Sequence, residues 1–215
     1  PLDCLALPVA LNLTTAGLIP ADALTISDLN INGAGAGGGL GILVTGIDST
    51  IAANDGFITN NTVTGTLGSA GIGVQMFSTA ATGPMMNGLL IDGNTITGTV
   101  PAPISSGIVV FGINAGATGS AFDDISITNN TVTGTNVDGI QFLALNPNAS
   151  PSTVNNLLID SNTVTGNGSN GLNLTVVNAT MANLSTTNNT FDNNTTDGMT
   201  FNLNRSSISG WTGTG

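Results

Sequence analysis

Ile125-Ser126-Ile127-Thr128-Asn129-Asn130-Thr131-Val132-Thr133-Gly134, followed after four residues by Gly139-Ile140-Gln141-Phe142, is the stretch whose reading decides the fold. Apolar side chains alternate with polar ones at Ile125 and Ile127, around Val132, and at Ile140 and Phe142. Alternation over so few residues marks short β-strands, because successive strand side chains point to opposite faces. The Asn and Gly residues between the runs are turn formers. No 3.6-residue period of useful length accompanies them, so no helix is expected in the repeats.

The stretch recurs. Its core reappears as Asn61-Thr62-Val63-Thr64-Gly65, Asn94-Thr95-Ile96-Thr97-Gly98 and Asn162-Thr163-Val164-Thr165-Gly166. A weaker copy is Asn189-Thr190-Phe191-Asp192-Asn193, and a degenerate one, Leu29-Asn30-Ile31-Asn32-Gly33, carries Leu in the Asn position. Successive asparagines from Asn61 to Asn189 lie 33, 36, 32 and 27 residues apart, so insertions fall in loops while the strands keep register. An apolar pair precedes most cores (Leu24 and Ile26, Leu89 and Ile91, Leu157 and Ile159). After each core comes a glycine with renewed alternation, as in Gly71-Ile72-Gly73-Val74 and Gly107-Ile108-Val109-Val110.

One copy cannot bury its apolar face alone, whereas stacked copies enclose a continuous core. The expected fold is all-β, a right-handed parallel β-helix of about six coils, each of three short strands. Residues 24–204 form the solenoid, 1–23 an N-terminal strand, cap or subunit-contact segment, and 205–215 a C-terminal tail or cap with Trp211 over the open end. Asn61, Asn94, Asn130, Asn162 and Asn189 fall at a bend, where stacked amides build an asparagine ladder. The glycine before the third strand is expected to supply a positive φ.

The pattern apolar-x-apolar-x-x-Asn-Thr-Val-Thr-Gly, then Gly-Ile-x-apolar, resembles the repeat of the pectate-lyase-like superfamily over about residues 24–204. That superfamily includes lyases, hydrolases, phage tailspikes and surface adhesins, so the resemblance implies a fold rather than an activity. Pectate lyases use Ca²⁺ with an Arg or Lys base, and polygalacturonases use clustered Asp with His and Lys. This chain has no His, and Arg205 is its one residue among Lys and Arg. Those catalytic residues have no positions here onto which they carry, and the resemblance points to the non-catalytic, surface-protein branch.

Composition narrows the function further. The formal net charge is −11, with only 6% charged residues. Nucleic acid and anionic lipid both need clustered cations, and none are present. A 40% hydrophobic share, regularly spaced, argues against disorder. No uninterrupted apolar run is long enough for a membrane span. Cys4 is the single cysteine, which excludes an intrachain disulfide and leaves burial or bridging to another chain. The start at Pro1 fits a processed or excerpted product, and a Thr/Asn/Gly-rich, Lys-free composition fits an extracellular or cell-surface location.

A glycosidase needs only two carboxylates. Asp123 and Asp124, adjacent in an expected loop, are the candidates for catalysis. Asp92 and Asp160 recur at equivalent places before the Asn bend, as turn-forming Asp does. One Cys and no His exclude an ordinary zinc site. Loops 48–55 and Asp123-Asp124 offer oxygen ligands for Ca²⁺, but no EF-hand loop or nonapeptide Ca²⁺ repeat is present, so no metal or cofactor is expected.

With Val63, Ile96, Val132 and Val164 inward, the pairs Thr62/Thr64, Thr95/Thr97, Thr131/Thr133 and Thr163/Thr165 point outward. The resulting two-column threonine array resembles the ice-binding faces of β-solenoid antifreeze proteins, although Thr also suits any exposed strand position. Asn-x-Ser/Thr sequons occur at Asn12, Asn60, Asn129, Asn148, Asn173 and Asn204, some of them produced by the ladder motif itself. Loops 45–56, 77–88, 112–124 and 144–156 are expected to decorate one side, with Met85, Met86 and Phe122 as buried anchors or a contact patch.

The function expected from these features is an extracellular structural or adhesive rod, self-assembling head to tail. Its partners would be like subunits or a surface glycan or protein. Polysaccharide binding or cleavage and ice binding through the Thr-x-Thr face are the alternatives.

Overall fold

Each alternating run becomes a strand, and each strand pairs in parallel with its equivalents one coil before and after. The computed structural model describes residues 3–5, 9–19, 24–33, 40–51, 56–65, 70–78, 85–98, 105–114, 121–146 and 152–214. All regular elements among them are strands, stacked as a parallel β-solenoid.

Two sheets are seven strands deep. Sheet 1 holds the Asn-Thr-Val-Thr-Gly segments, with Thr62–Gly65, Thr95–Gly98, Thr131–Thr133 and Thr163–Thr165 at its centre. Asp3–Leu5 and Thr190–Asp192 are its edges. Sheet 2 holds the segments before each bend, from Leu24–Ser27 to Thr212–Thr214. Sheet 3 carries the runs that follow the glycines, such as Ile140–Leu145 and Leu172–Val177.

Register is held from coil to coil, apart from a shift between Ala16 and Leu18 where Val9–Ile19 pairs with Leu40–Ile51. Ile58, Ile91, Ile127 and Ile159 form one column, Val63, Ile96, Val132 and Val164 a second, and Ile72, Ile108, Ile140 and Leu172 a third. All twelve are fully buried. Removing each from water contributes about 1.5–3 kcal/mol, which makes these columns the main support of the tube.

A coil has four strands, not three. Met85–Asn87, Ala121–Asp123, Ser152–Asn155, Ala179–Ala182 and Ser207–Ser209 pair with one another as a second arm of sheet 3. They lie in or beyond the stretches read as loops. Their buried apolar side chains include Met86, Phe122, Val154, Ala179 and Met181, while Ile208 is half-buried. With one or two inward apolar residues per strand, the pattern is too short for alternation to reveal it. Met86 and Phe122 are thus anchors rather than an exposed patch; the side chain of Met85 lies outside the described residues.

The glycines preceding the sheet 3 runs also act differently from expectation. Gly41, Gly71, Gly107, Gly139, Gly171 and Gly198 do not adopt positive φ. A methyl group at Gly139 would stand 2.0 Å from Val164 Cγ1, and one at Gly107 2.2 Å from Val132 Cγ1. At Gly41, Gly71, Gly107, Gly139 and Gly171 glycine is required because the next coil approaches too closely for a Cβ, whereas at Gly198 the nearest atom, Phe191 O, would be 3.3 Å away. Positive φ occurs instead at the corners. One column comprises Asp28, Asn60, Gly93, Asn129, Ser161 and Asn188. Another comprises Gly88, Asp124, Asn156, Asn183 and Gly210. Asn, Asp and Gly tolerate the left-handed conformation at lowest cost, and they dominate both.

Candidate functional site

The Asn-Thr-Val-Thr-Gly segments place two sets of polar groups in register, one inside the tube and one outside. Inside, the asparagines of sheet 1 form the ladder. The backbone N–H and the Nδ2 of Asn94 both donate to Asn130 Oδ1, at 2.9 and 3.0 Å. Asn61 bonds Asn94, Asn130 bonds Asn162, and Asn162 bonds Asn189 in the same way. A further Nδ2 hydrogen reaches back to a carbonyl, that of Ile26, Ile58, Ile91, Ile127 or Ile159. Asn61, Asn94, Asn130 and Asn162 are buried with these bonds made, so their amides join three successive coils.

A second ladder was not anticipated. Asn167 donates to Asn194 Oδ1 through its backbone N–H and its Nδ2, and Thr135 donates to Asn167 Oδ1 through its backbone and hydroxyl. Thr135, Asn167 and Asn194 each stand five residues after a ladder asparagine, a spacing present in the sequence. Beside it lies Asp138, at 2% exposure. Its Oδ1 accepts the backbone N–H and Nδ2 of Asn170; its Oδ2 accepts Gln141 Nε2 at 2.5 Å and Asn173 Nδ2 at 3.0 Å. Burial pushes the Asp138 pKa up, but the amides of Gln141, Asn173 and Asn170 together outweigh it and hold the carboxyl below its usual value.

The carboxylates that carry the catalytic candidacy are tied to neighbouring coils. Asp123 Oδ1 accepts Asn155 Nδ2 at 2.6 Å, and Asp124 Oδ1 accepts Asn156 Nδ2 at 2.8 Å. Asp123 is on a strand rather than a loop, and Asp124 occupies a left-handed corner at φ 53°. Asp92 Oδ1 accepts the Thr128 hydroxyl at 2.6 Å and Asn129 Nδ2 at 2.7 Å. Asp160 repeats that clamp two coils on, accepting Thr187, Asn188 and its neighbour Ser161. The Thr187 and Ser161 hydroxyls, with Asn188, lower the Asp160 pKa against a small opposing effect of burial.

These clamps expose a two-coil repeat. Thr-Asn-Asn-Thr stands at 59–62, 128–131 and 187–190, and Asp-x-Asn-Thr at 92–95 and 160–163. The sheet 2 column therefore runs Thr59, Asp92, Thr128, Asp160, Thr187. Carboxylates stacked directly, about 4.8 Å apart, would repel by roughly 1 kcal/mol in water and several times that near protein. A threonine between them doubles the separation, which about halves the repulsion, and supplies a donor.

Outside the tube, Thr62, Thr95, Thr131, Thr163 and Thr190 form one register column, and Thr64, Thr97, Thr133 and Thr165 the next. Thr95, Thr131 and Thr163 are exposed; Thr62, Thr64, Thr97, Thr133 and Thr165 are half-buried. Asn30 and Asn32 precede the columns, and Asp192 ends the second. Of the sequon asparagines, Asn60, Asn129 and Asn204 are exposed, while Asn173 bonds Asp138. Asn148 and the side chain of Asn12 lie outside the described residues, as do loop 52–55 and the side chains of Cys4 and Asp48. Among the described residues no group of three or more His, Cys, Asp or Glu is placed to hold a metal ion, and no helix is long and apolar enough to cross a membrane.

At the C-terminal edge the tube is open. A cavity of about 490 Å³ is lined by Phe191, Met199 and Trp211, with Thr186 and Asn189 beside them. Trp211 is 53% exposed, its ring centroid 5.3 Å from that of Phe201 and its Nε1 donating to Thr186 Oγ1 at 3.1 Å. The ring leans on the edge without closing it. No family model, curated protein or solved structure matches the chain.

Proposed function

We propose that this chain is a rigid structural or adhesive rod of the extracellular or cell-surface kind, akin to the non-catalytic members of the pectate-lyase-like superfamily. The single observation that carries the reading is the use of the polar side chains. Asp92, Asp123, Asp124, Asp138 and Asp160 each accept a hydrogen bond from an amide or hydroxyl of the next coil. Each of these carboxylates has at least one oxygen engaged between coils, which supports a structural role for it. The outer faces offer uncharged hydroxyls and amides, which suit adhesion to a glycan or protein better than general acid–base chemistry.

Small-angle scattering of the purified chain, with turnover assays over a panel of polysaccharides, tests this. An elongated particle without turnover is the expected result. Release of sugar that is lost in Asp123→Asn and Asp124→Asn variants would replace the rod with a hydrolase or lyase.

One observation favours a second reading, recognition of an ordered surface such as ice. The threonine columns repeat at the coil spacing along the tube and at the two-residue strand spacing across it, which gives a two-dimensional hydroxyl lattice. Thermal hysteresis, abolished when Thr97 and Thr131 become lysine, is its expected signature; unhindered ice growth removes it.

A further inference from the structure

We propose that Asn60, Asn129 and Asn188 are acceptors of N-linked glycans, carried in one column along the outer corner between sheets 2 and 1; the proposal rests on the extracellular reading above. Each opens an Asn-Asn-Thr triplet, Asn60-Asn61-Thr62, Asn129-Asn130-Thr131 or Asn188-Asn189-Thr190, and Asn-x-Thr is a sequence that glycan transfer requires. Many such triplets occur in the chain, and the fold separates those within reach from those that are not. The first asparagine of each holds a left-handed corner, at φ 56°, 53° and 53°, and is exposed. The second turns inward to the ladder. The threonine, two residues on, is back outside, exposed at Thr131 and Thr190 and half-buried at Thr62. The acceptor amide and the hydroxyl that a transferase must read thus share the outer side of the tube.

Other triplets of this type are committed to the fold. Asn167 and Asn194 belong to the second ladder, and Asn173 bonds Asp138. The exposed triplets at Asn183, Asn193 and Asn204 have no equivalents in neighbouring coils. Asn60, Asn129 and Asn188 recur, and on alternate coils only: Gly93 and Ser161 take the corner between them and break the triplet. Successive acceptors are therefore about 9.6 Å apart, two strand spacings, which leaves a coil's width between neighbouring sugars. The corner also accommodates the modification. A primary amide has two N–H hydrogens. Asn129 Nδ2 places one on Asp92 Oδ1 at 2.7 Å, and Asn188 Nδ2 places one on Asp160 Oδ1 at 3.0 Å. Glycan transfer replaces the other. Nδ2 bonds the anomeric carbon of an oligosaccharide carried on a lipid diphosphate, the bond from that carbon to the diphosphate oxygen breaks, the lipid diphosphate leaves as an anion, and the displaced amide proton passes to a base of the transferase. The hydrogen bond to the aspartate survives and orients the sugar-bearing amide.

Peptide mass spectrometry of the full chain recovered from its own cells, with surface labelling of those cells, provides the test. Arg205 is the one Lys or Arg residue, so elastase rather than trypsin supplies the peptides. Hexose or N-acetylhexosamine mass is expected on Asn60, Asn129 and Asn188, and none on Asn61, Asn130, Asn167 or Asn173. Thr131→Val should strip the sugar from Asn129 with the circular dichroism unchanged, whereas Thr131→Ser should keep it, because the hydroxyl is what the transferase reads. A chain labelled at the cell surface whose three corner asparagines are bare would overturn the acceptor column and leave the extracellular reading standing. Sugar on Asn129 that persists in the Thr131→Val variant would overturn the column as well. A chain confined to the cytoplasm, bare and unlabelled, would remove the location and the acceptor column together.

Discussion

Asn94 and Asn130 share one oxygen: Asn130 Oδ1 accepts both the backbone N–H and the side-chain Nδ2 of Asn94, at 2.9 and 3.0 Å. Two donors of one coil depend on a single atom of the next, and both are buried. Loss of that atom strands two polar groups at once, which is why the ladder matters more than its share of residues.

Asn130→Ala should therefore lower unfolding free energy by about 2–4 kcal/mol, since it removes the acceptor for Asn94 and the donor to Ile91 O. Asn130→Asp should cost more at neutral pH. Its second oxygen would face the Ile91 carbonyl and Asn162 Oδ1, two acceptors, with a buried negative charge. Urea titration at pH 7 and pH 4 checks the order, and the gap between the two variants should narrow in acid as the new carboxyl protonates.

Two glycines separate close approach from backbone strain. Gly139→Ala puts a methyl 2.0 Å from Val164 Cγ1 and should cost about 1–3 kcal/mol. Combining it with Val164→Ala should give a double variant less unstable than the two losses added together. Gly166 has φ 66° and open space around the added carbon, so Gly166→Ala should cost roughly 1 kcal/mol that no neighbour relieves. Gly166→Asn should cost less, because Asn193 holds the same corner at φ 54°. Thermal melts of the five variants, Val164→Ala alone included, distinguish these cases.

Acid should loosen the fold in a defined window. A carboxyl whose folded pKa lies below its unfolded value stabilises the protein above the unfolded value, and that contribution disappears as pH falls through the folded one. Asp138 and Asp160 both behave this way, from an ordinary value of 3.8. Stability should be flat from neutrality to about pH 5 and decline below about pH 4. Asp138→Asn turns an amide against the donors of Gln141 and Asn173, and should cost about 1–3 kcal/mol at pH 7. The difference from the unsubstituted chain should shrink below pH 4, as followed by denaturation across a pH series.

Asp124 tests corner against catalyst. Asp124→Asn and Asp124→Gly should change stability by less than about 1 kcal/mol, since Asn156 and Gly88 hold the same column. Asp124→Val should lose about 1–2 kcal/mol through its left-handed φ. A melting-temperature series reads this directly, and a Gly variant as damaged as the Val variant would contradict the corner role.

Much of this molecule is written locally. Strand class, parallel stacking, the asparagine ladder and the outward threonines follow from a period-two pattern repeated with an Asn at one place, because a repeat that cannot bury its own apolar face must bury it on its neighbour. Tertiary structure decided what depends on distance between coils. The fourth strand, carried by one or two inward residues such as Phe122 or Val154, is too short to show a period and forms along the edge that the neighbouring coil offers. The role of Gly139 depends on how near Val164 comes, and that of Asp123 on Asn155 lying 2.6 Å away, 32 residues later in the chain. Alternation reports which way a side chain points; only the stack sets what it meets there.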